Sequence, residues 1–298
     1  MSNIVEVKNL TKIFTISKGL FGQKKTEVRA VDDVDFEIKG GSSLGLVGES
    51  GSGKTTCGRL ILNLIKPDRG EVLIKGIDVY NKDKREIKKV RRGAQIIFQD
   101  PYNSLNPRMS IKDILLEGVR IHKLYEKNNE DKRLGELLEL VGLAKGDKDK
   151  YPHQFSGGQR QRVAIARALS VEPEFIVCDE AVSSLDMSIR AQILNLLKQL
   201  QRELNLSYLF ISHDLPLVEY FCDRVAVMYQ GKIVEIASAN EIYSNPLHPY
   251  TKILLQAGLA PEPETRKLKI DVRKFEYSAP DKKEKDLREY SKGHWARV

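Results

Sequence analysis

The chain has 298 residues, of which 41% are hydrophobic and 30% are charged, and its formal net charge is +8. This balance is typical of a folded globular protein and excludes a largely disordered chain. The longest apolar runs, such as "FIVC" and "YLFIS", have four or five residues, and the start "MSNIVEVKNL" lacks a charged-then-apolar signal pattern, so we expect neither a membrane span nor export.

The first 40 residues alternate between apolar and polar side chains in two segments, "VEVKNLTKIF" and "VDDVDFEIK". This period of two predicts half-buried strands. The Gly- and Lys-rich segment "SKGLFGQKKTEVR" between them predicts a loop. Further along, "SSLGLVG" predicts a short buried strand and "KTTCGRLILNLI" predicts a helix.

The segment "GESGSGKTT" joins that strand to that helix and matches the pattern G-x-x-x-x-G-K-[ST]. Its glycines let the backbone curl so that consecutive N–H groups point at one anion, and the helix adds its N-terminal dipole. Lys54 can reach the β- and γ-phosphates, and the Thr55 hydroxyl can ligate Mg²⁺. The sequence therefore predicts a site for a nucleoside triphosphate. Its predicted residues are Gly48, Glu49, Ser50, Gly51, Ser52, Gly53, Lys54, Thr55 and Thr56.

The middle of the chain, from about Asp100 to Tyr151, has apolar residues at helical spacing and predicts a helical insertion. After it come an Ala- and Arg-rich helix, the strand "EFIVCDE", a helix from about Asp186 to Leu204, and the strand "SYLFIS". A β-α-β succession of this kind predicts a parallel sheet that is covered on both faces.

Two carboxylates end the predicted buried strand "FIVCDE". Hydrolysis of a triphosphate needs a positioned water and stabilised charge on the γ-phosphoryl group. In that role Asp179 would hold Mg²⁺, and Glu180 would orient the attacking water and accept its proton. Taken alone, the pair is equally typical of a strand end with solvated acids. After a phosphate loop, the catalytic interpretation is favoured.

The segment "FSGGQRQR", Phe155 to Arg162, resembles the signature sequence of ATP-binding-cassette (ABC) ATPases, and the resemblance spans residues 4 to about 260. Taken alone, each of the other matching residues has an ordinary structural explanation: a core aromatic, a surface amide or a strand-end histidine. The resemblance assigns Phe14 to stacking on adenine, Gln99 to catalysis and Mg²⁺ ligation in the glutamine loop, Asp186 to the D-loop, and His213 to contact with the γ-phosphate as a catalytic switch histidine.

This resemblance implies an α/β fold of the P-loop NTPase class. The expected parts are a RecA-like parallel-sheet core, an antiparallel β subdomain, an inserted α-helical subdomain at about 100–155, and a C-terminal extension. The domain boundaries implied are 1–240 for the ATPase and 241–298 for the extension with its charged tail. The implied ligands are ATP and Mg²⁺, with two ATPase domains enclosing two ATPs head to tail. The residues implied to face the partner's ATP are Ser156, Gly157, Gly158 and Gln159.

Three stretches narrow the resemblance: "FQDPYNSLNPRMSI", "YPHQFSGGQRQRVAIARAL" and "NPLHPYT". All three resemble ATPases of oligopeptide and dipeptide importers, and the early "GLFG" and "AVDDVDFEI" resemble the second, F-type, of their two ATPases. The implied partners are a second cassette ATPase in a heterodimer, two membrane permeases and, indirectly, an external solute-binding protein. The implied location is the cytoplasmic side of the cell membrane, as a peripheral subunit. The alternative interpretation of "NPLHPYT" is a Pro-rich linker.

The chain departs from the family pattern at three places. Ala181 stands where the family usually has Pro, so the turn carrying Glu180 is less constrained, and Gln154 stands where the family usually has Glu. Many relatives have a cysteine-rich segment in the extension that resembles an iron–sulfur site, but this extension contains no cysteine. We therefore expect no iron–sulfur cluster. The scattered Cys57, Cys178 and Cys222 are expected to be buried free thiols.

Most of the net positive charge lies in the last 33 residues, from Arg266 to Val298, which contain 11 Lys/Arg and 6 Asp/Glu. This location argues against nucleic acid as a partner. Two interpretations stay open for this tail, a solvated charged segment or attraction to anionic lipid.

Two soluble cassette proteins are the rival interpretations of function. A chromosome or DNA-repair cassette needs a long coiled coil before the signature, yet only 56 residues separate Gln99 from Phe155 and no heptad run is present. An accessory ATPase of a phosphonate-degrading complex remains the alternative to an importer. The cargo of an importer is open between peptides, short sugars and other solutes, because the ATPase does not touch it.

Overall fold

The computed structural model describes residues 2–18, 24–81, 83–124, 129–259 and 286–298. The chain divides into two compact units. Unit 1 comprises Met1–Ile4, Lys39–Gly41 and Asn81–Tyr208, and unit 2 comprises Val5–Ile38, Ser42–Tyr80 and Leu209–Val298.

Strands and helices alternate along most of the chain. The strands are β1 Asn3–Lys18, β2 Lys24–Lys39, β3 Ser43–Val47, β4 Arg69–Ile74, β5 Ile77–Asp78, β6 Ala94–Ile97, β7 Phe175–Asp179, β8 Ser207–Ile211, β9 Arg224–Tyr229, β10 Lys232–Ser238, β11 Arg288–Ser291 and β12 His294–Ala296. The helices are α1 Lys54–Ile61, α2 Lys84–Gly93, α3 Pro101–Ser104, α4 Ile111–His122, α5 Glu130–Leu140, α6 Gly157–Leu169, α7 Met187–Leu204, α8 Leu215–Phe221, α9 Ala239–Ser244 and α10 Pro249–Leu259.

Unit 2 contains an antiparallel sheet in the order β2-β1-β4-β5 and a second set of paired strands in the order β11-β12-β10-β9-β3. In the second set, β3 and β9 are parallel, whereas β9 pairs antiparallel with β10. All five residues of β3 are buried. A strand that is buried on both faces has a nearly continuous run of apolar residues. The segment "SLGLV" has this pattern, and the pattern predicts the strand.

Unit 1 contains the helical insertion and the parallel pair β6 and β7. The helical periodicity predicted for the insertion is confirmed, because Leu134, Leu137 and Leu138 of α5 are fully buried. Helix α2 was not recognised in the sequence. Its segment "KREIKKVRRG" buries only Val90, so it lacks the apolar stripe from which helices are predicted.

Cys57, Cys178 and Cys222 are buried thiols that are not joined in disulfides, as the sequence predicted. Burial raises the pKa of the Cys57 thiol to about 12. A thiol held protonated in this way is a poor nucleophile, so these residues act as small core side chains.

Residues 286–298, the described part of the charged tail, are folded, and the interpretation of the tail as a solvated segment stays a prediction. Strands β11 and β12 form an antiparallel hairpin, and β12 also pairs with β10. His294 in β12 is 2% exposed, and its Nε2 lies 2.7 Å from Oε1 of the fully buried Glu235. Counting charges along the sequence could not reveal this contact, because the partner lies 59 residues earlier. Residues 260–285 of the tail lie outside the described residues.

The segment "NPLHPYT" is part of the folded core of unit 2, so its interpretation as a linker is wrong. His248, Tyr250 and Thr251 are each at most 1% exposed. The Glu235 carboxylate accepts hydrogen bonds from the backbone N–H groups of Leu247 at 2.8 Å and His248 at 2.9 Å. Helix α10 then begins at Pro249, where the absent N–H of proline costs nothing.

We predict that His294→Ala loosens the terminal hairpin by about 2 kcal/mol, because it removes a hydrogen-bonding partner of a buried carboxylate. Trp295 in β12 is the only tryptophan of the chain, so its fluorescence during denaturant unfolding reports this hairpin. The control is Lys292→Ala, at an exposed position of the hairpin turn. Equal fluorescence midpoints for the two variants would contradict the prediction.

Candidate functional site

The phosphate loop of unit 2 follows the buried strand β3 and runs into helix α1. Gly48 has φ 148° and Gly53 has φ 108°, conformations that side chains rarely adopt. A Cβ on Gly48 would collide with the carbonyl oxygen of Met228, and one on Gly53 with the carbonyl oxygen of Ala30. The loop therefore has the close-packed curl that a phosphate cradle requires, and only glycine fits these two positions.

The side chain of Lys54 is hydrogen-bonded to carbonyl oxygens of this loop. Its side chain is 5% exposed, and its Nζ donates hydrogen bonds to the carbonyl oxygens of Gly48 at 2.7 Å and Glu49 at 2.6 Å and to Oγ of Ser52 at 3.3 Å. An ammonium group directed at the loop is the kind of cation that phosphate oxygens need. The arrangement fits a nucleoside triphosphate.

Tyr250 is a contact of this loop that sequence reasoning missed. Its hydroxyl accepts a hydrogen bond from the backbone N–H of Glu49 at 3.1 Å. The segment "NPLHPYT" was singled out for its resemblance, but its tyrosine carries no local signal for a partner 201 residues away.

Phe14 lies on β1 of unit 2 and is 40% exposed. The alternative that this strand aromatic belongs to the core is therefore wrong. Nζ of Lys12 lies 5.5 Å from the centre of its ring, and Lys12 also pairs with Asp68 at 3.4 Å. An exposed ring of this kind is available for stacking on a base.

His213 lies in unit 2 between the end of β8 and the start of α8, and its side chain is exposed. The next residue, Asp214, caps α8 by accepting a hydrogen bond from the N–H of Leu217 at 3.4 Å. The N–H of Asp214 in turn donates to Oγ of Ser212 at 3.0 Å. These bonds fix the backbone on one side of His213 and leave the imidazole at the surface.

Asp179 and Glu180 lie in unit 1 where β7 ends. Asp179 is 7% exposed, whereas Glu180 is partly exposed. Glu180 has φ 49°, in the left-handed region. Its carbonyl oxygen accepts hydrogen bonds from the N–H of Ser183 at 3.1 Å and from Oγ of Ser183 at 2.8 Å. With Ala181 in place of proline, this turn is held by Ser183 rather than by a fixed proline ring.

Gln99 is also in unit 1, just after β6, with an exposed side chain. Its carbonyl oxygen accepts a hydrogen bond from Oγ of Ser184 at 3.2 Å. The backbone of Gln99 is thus hydrogen-bonded to the segment that follows Glu180. The side-chain amide of Gln99 takes no part in that bond.

The signature segment opens helix α6 through a reciprocal capping box. Oγ of Ser156 accepts from the N–H of Gln159 at 3.3 Å, and Oε1 of Gln159 accepts from the N–H of Ser156 at 3.0 Å. A Cβ on Gly158 would lie 2.5 Å from Cγ2 of Ile189, whereas one on Gly157 would meet nothing closer than 3.9 Å. Only the second glycine is therefore required by packing within unit 1.

Asp186 of the D-loop begins helix α7, where its Oδ1 accepts a hydrogen bond from the N–H of Ile189 at 3.0 Å. The helix that the sequence predicted from about Asp186 to Leu204 is confirmed as Met187–Leu204. Leu204, at the last turn of this helix, is 46% exposed.

Arg160 is a second residue whose contacts sequence reasoning missed. Its guanidinium lies 3.6 Å from the centre of the Tyr102 ring, and its Nε donates to the carbonyl oxygen of Pro152 at 2.7 Å. A cation over an aromatic face contributes about 1 kcal/mol. This contact joins α3, which follows Gln99, to the signature helix α6.

Three side chains predicted to hold Mg²⁺ carry oxygen atoms: the Thr55 hydroxyl in unit 2, and the Gln99 amide and the Asp179 carboxylate in unit 1. Hydroxyl, amide and carboxylate oxygens are the hard ligands that this ion prefers. Taken one at a time, these three side chains have the chemistry of Mg²⁺ ligands.

Comparison with known proteins gives two family matches. Residues 31–183 match the family "ABC transporter", and residues 234–283 match "Oligopeptide/dipeptide transporter, C-terminal region". The first match includes the phosphate loop, the signature and the Asp179–Glu180 pair. The second includes the segment that carries Tyr250.

Two curated relatives extend over almost the whole chain. The oligopeptide transport ATP-binding protein OppF of Bacillus subtilis (strain 168) is 49% identical over 297 residues, which are 98% of this chain and 95% of the relative. The dipeptide transport ATP-binding protein DppF of Lactococcus lactis subsp. cremoris (strain MG1363) is 46% identical over 295 residues, 98% of this chain and 93% of the relative. The branch resemblance found in the sequence is confirmed.

Two solved structures have the same fold. The cbiO1 protein of Clostridium perfringens, part of the ABC transporter complex cbiONQ, superposes with a TM-score of 0.70 at 26% identity and covers 91% of this chain and 100% of its own. The ATP-binding cassette MJ0796, solved as a post-hydrolysis dimer with ADP and Pi, gives a TM-score of 0.67 at 31% identity and covers 79% and 98%. The predicted fold class is confirmed, and this chain belongs to the family of ABC transporter ATPases, in the branch that carries the oligopeptide/dipeptide transporter C-terminal region.

Proposed function

We propose that this chain is the ATP-hydrolysing subunit that powers an importer of oligopeptides or dipeptides. The observation that carries the proposal is the "NPLHPYT" segment, which belongs to the matched oligopeptide/dipeptide transporter region and is built into the core of unit 2. The proposed division of the chain is an ATPase domain at 1–240 and an importer-type extension from 241 onward.

In the proposed reaction, Lys54 and the loop N–H groups bind the β- and γ-phosphates of ATP, and Phe14 stacks on adenine. Thr55, Gln99 and Asp179 would hold Mg²⁺, and the bound ion would neutralise charge on the phosphate oxygens. Glu180 orients a water for attack on the γ-phosphorus and accepts its proton, so that the bond to the ADP oxygen breaks. His213 contacts the γ-phosphate.

The signature residues serve a second cassette ATPase in this proposal. Ser156, with the N–H groups of Gly157 and Gly158 at the start of α6, forms an anion site for the partner's γ-phosphate, since helix N-termini attract anions. Gln159 supports that site through the capping box, and Asp186 lies beside the same interface. ATP would bridge two subunits and shift the pair towards a closed state, because these contacts exist only when it is closed.

The proposed assembly contains this chain, a second cassette ATPase in a heterodimer and two membrane permeases, with an external solute-binding protein acting indirectly. Over the described ranges, the helices are too short or too polar to cross a bilayer. We place the chain on the cytoplasmic side of the cell membrane as a peripheral subunit. We expect no iron–sulfur cluster, because residues 241–298 contain no cysteine, and we expect no nucleic-acid partner.

Glu180→Gln is expected to reduce ATP turnover by at least about 100-fold, because the amide cannot accept the proton of the attacking water. Binding of ATP should be retained. Phosphate release and equilibrium binding of a fluorescent ATP analogue measure the two quantities. The control is Glu203→Gln, an exposed carboxylate near the end of α7. Equal turnover by the Glu180 variant and the wild type would refute the proposed role.

Asp179→Asn is expected to raise the Mg²⁺ concentration for half-maximal turnover by about 10- to 100-fold, the usual loss when a carboxylate that supports a bound metal is neutralised. A titration with MgCl₂ at fixed ATP measures this concentration. The exposed Asp149→Asn should leave it unchanged. An unaltered Mg²⁺ dependence in the Asp179 variant would contradict the assignment.

A tagged full-length chain, extracted from its native membranes in mild detergent, should bring down two polytopic membrane proteins and a second cassette ATPase. Mass spectrometry identifies these partners. Recovery of soluble metabolic enzymes without membrane proteins would contradict the importer and would favour the phosphonate-type accessory ATPase.

A further inference from the structure

Tyr250 contacts the phosphate loop at one peptide unit, the one that joins Gly48 to Glu49. The N–H of this unit donates to the Tyr250 hydroxyl at 3.1 Å, and its carbonyl oxygen accepts from Nζ of Lys54 at 2.7 Å. Because a peptide unit is planar, its N–H and C=O point in opposite directions. Partners at both ends therefore fix the rotation of this unit and the direction in which the loop turns after β3.

The next carbonyl of the loop is held as well. The carbonyl oxygen of Glu49 accepts from Nζ of Lys54 at 2.6 Å and from the N–H of Ser52 at 3.1 Å. The Lys54 ammonium thus binds the carbonyl side of the loop, and Tyr250 binds the N–H that opens it. Of these two anchors, Lys54 belongs to the nucleotide-binding motif and Tyr250 belongs to the C-terminal extension.

The position of the Tyr250 ring is fixed by its own surroundings. The ring is fully buried and packs against Tyr229, with ring centroids 4.3 Å apart. Burial raises the pKa of the Tyr250 hydroxyl to about 12, so the phenol is uncharged at neutral pH. The backbone N–H of Tyr250 donates to Nδ1 of His248 at 3.1 Å. Burial lowers the pKa of His248 to about 4, so the imidazole is neutral at neutral pH and Nδ1 acts as the acceptor.

Glu235 anchors the segment that carries this tyrosine. Its carboxylate is fully buried in β10 and accepts the N–H groups of Leu247 and His248. The same carboxylate contacts the imidazole of His294 in the terminal hairpin at 2.7 Å. Both the segment before α10 and the end of the chain are therefore tied to one strand of the sheet that also contains β3.

We propose that the C-terminal extension is a support for the phosphate loop, in which the Tyr250 hydroxyl is a positioning group for ATP binding through the N–H of Glu49. The inference rests on the proposed ATP-binding function and deepens it, because it gives the extension a role in the ATP site itself. A tyrosine that only fills the core would give a different result in the experiment below.

The experiment compares Tyr250→Phe with Tyr229→Phe in the full-length chain. The first variant keeps the ring and loses the hydroxyl that binds the loop. The second loses the hydroxyl of the adjacent ring, which accepts from Nε2 of Gln230 at 3.1 Å. Two properties are measured: amide hydrogen exchange over residues 48–53 without nucleotide, and the Kd for ATP together with KM and kcat.

Tyr250→Phe is expected to speed exchange of the Glu49 amide and to raise Kd and KM for ATP by about three- to tenfold, the usual effect of one lost hydrogen bond. The value of kcat should change by less than about twofold, because the hydroxyl does not touch the reacting atoms. Tyr229→Phe should leave both properties as in the wild type.

If the Tyr250→Phe variant has the same amide exchange and the same ATP affinity as the wild type, the inference is overturned. Equal changes in the two variants would also overturn it, since they would show a general packing effect. The exchange measurement is made without ATP, so it tests the support role independently. A wild-type chain that binds no ATP would instead contradict the proposed function.

Discussion

The ATP site depends on the shape of the phosphate loop, and that shape is opposed by repulsion between the dipoles of the loop's own backbone N–H groups. Several N–H dipoles that point at one place repel each other, so a loop of this shape needs its carbonyl oxygens bound elsewhere. Lys54 provides this by binding the carbonyls of Gly48 and Glu49. The close contacts of Gly48 and Gly53 with neighbouring backbone leave no space for a side chain. These contacts within the chain hold the loop in its curled shape, and such preorganisation reduces the cost of binding an anion.

A buried carboxylate organises the other end of unit 2. Glu235 collects two backbone N–H groups and the imidazole of His294, and a buried carboxylate is stable only when its oxygens are bound in this way. The residues it holds lead directly to Tyr250 and so to the N–H of Glu49. In this way an extension that follows the ATPase core in the chain is physically joined to the loop on which that core depends.

The parts of unit 1 that carry the proposed chemistry are shaped mainly by contacts within three residues. Ser156 and Gln159 cap one helix, Asp186 caps the next, and Ser183 holds the left-handed turn at Glu180. Each cap contributes about 1 kcal/mol, and a left-handed non-glycine residue costs roughly that amount. Ser156, Gln159 and Asp186 were assigned by resemblance to the family, and Glu180 was assigned by its place at the end of a predicted buried strand.

The sequence by itself determined the phosphate loop, the buried strands, the helical insertion and the starts of α6 and α7. All of these follow from apolar periodicity, from glycine at particular positions, or from a side chain that reaches its own helix end. Only the tertiary structure showed that "NPLHPYT" and residues 286–298 of the charged tail are both bonded to Glu235 in β10. Tyr250 meets Glu49 across 201 residues, and His294 meets Glu235 across 59. No local pattern encodes such a pair, because each side chain becomes a partner only when the sheet has brought both segments together.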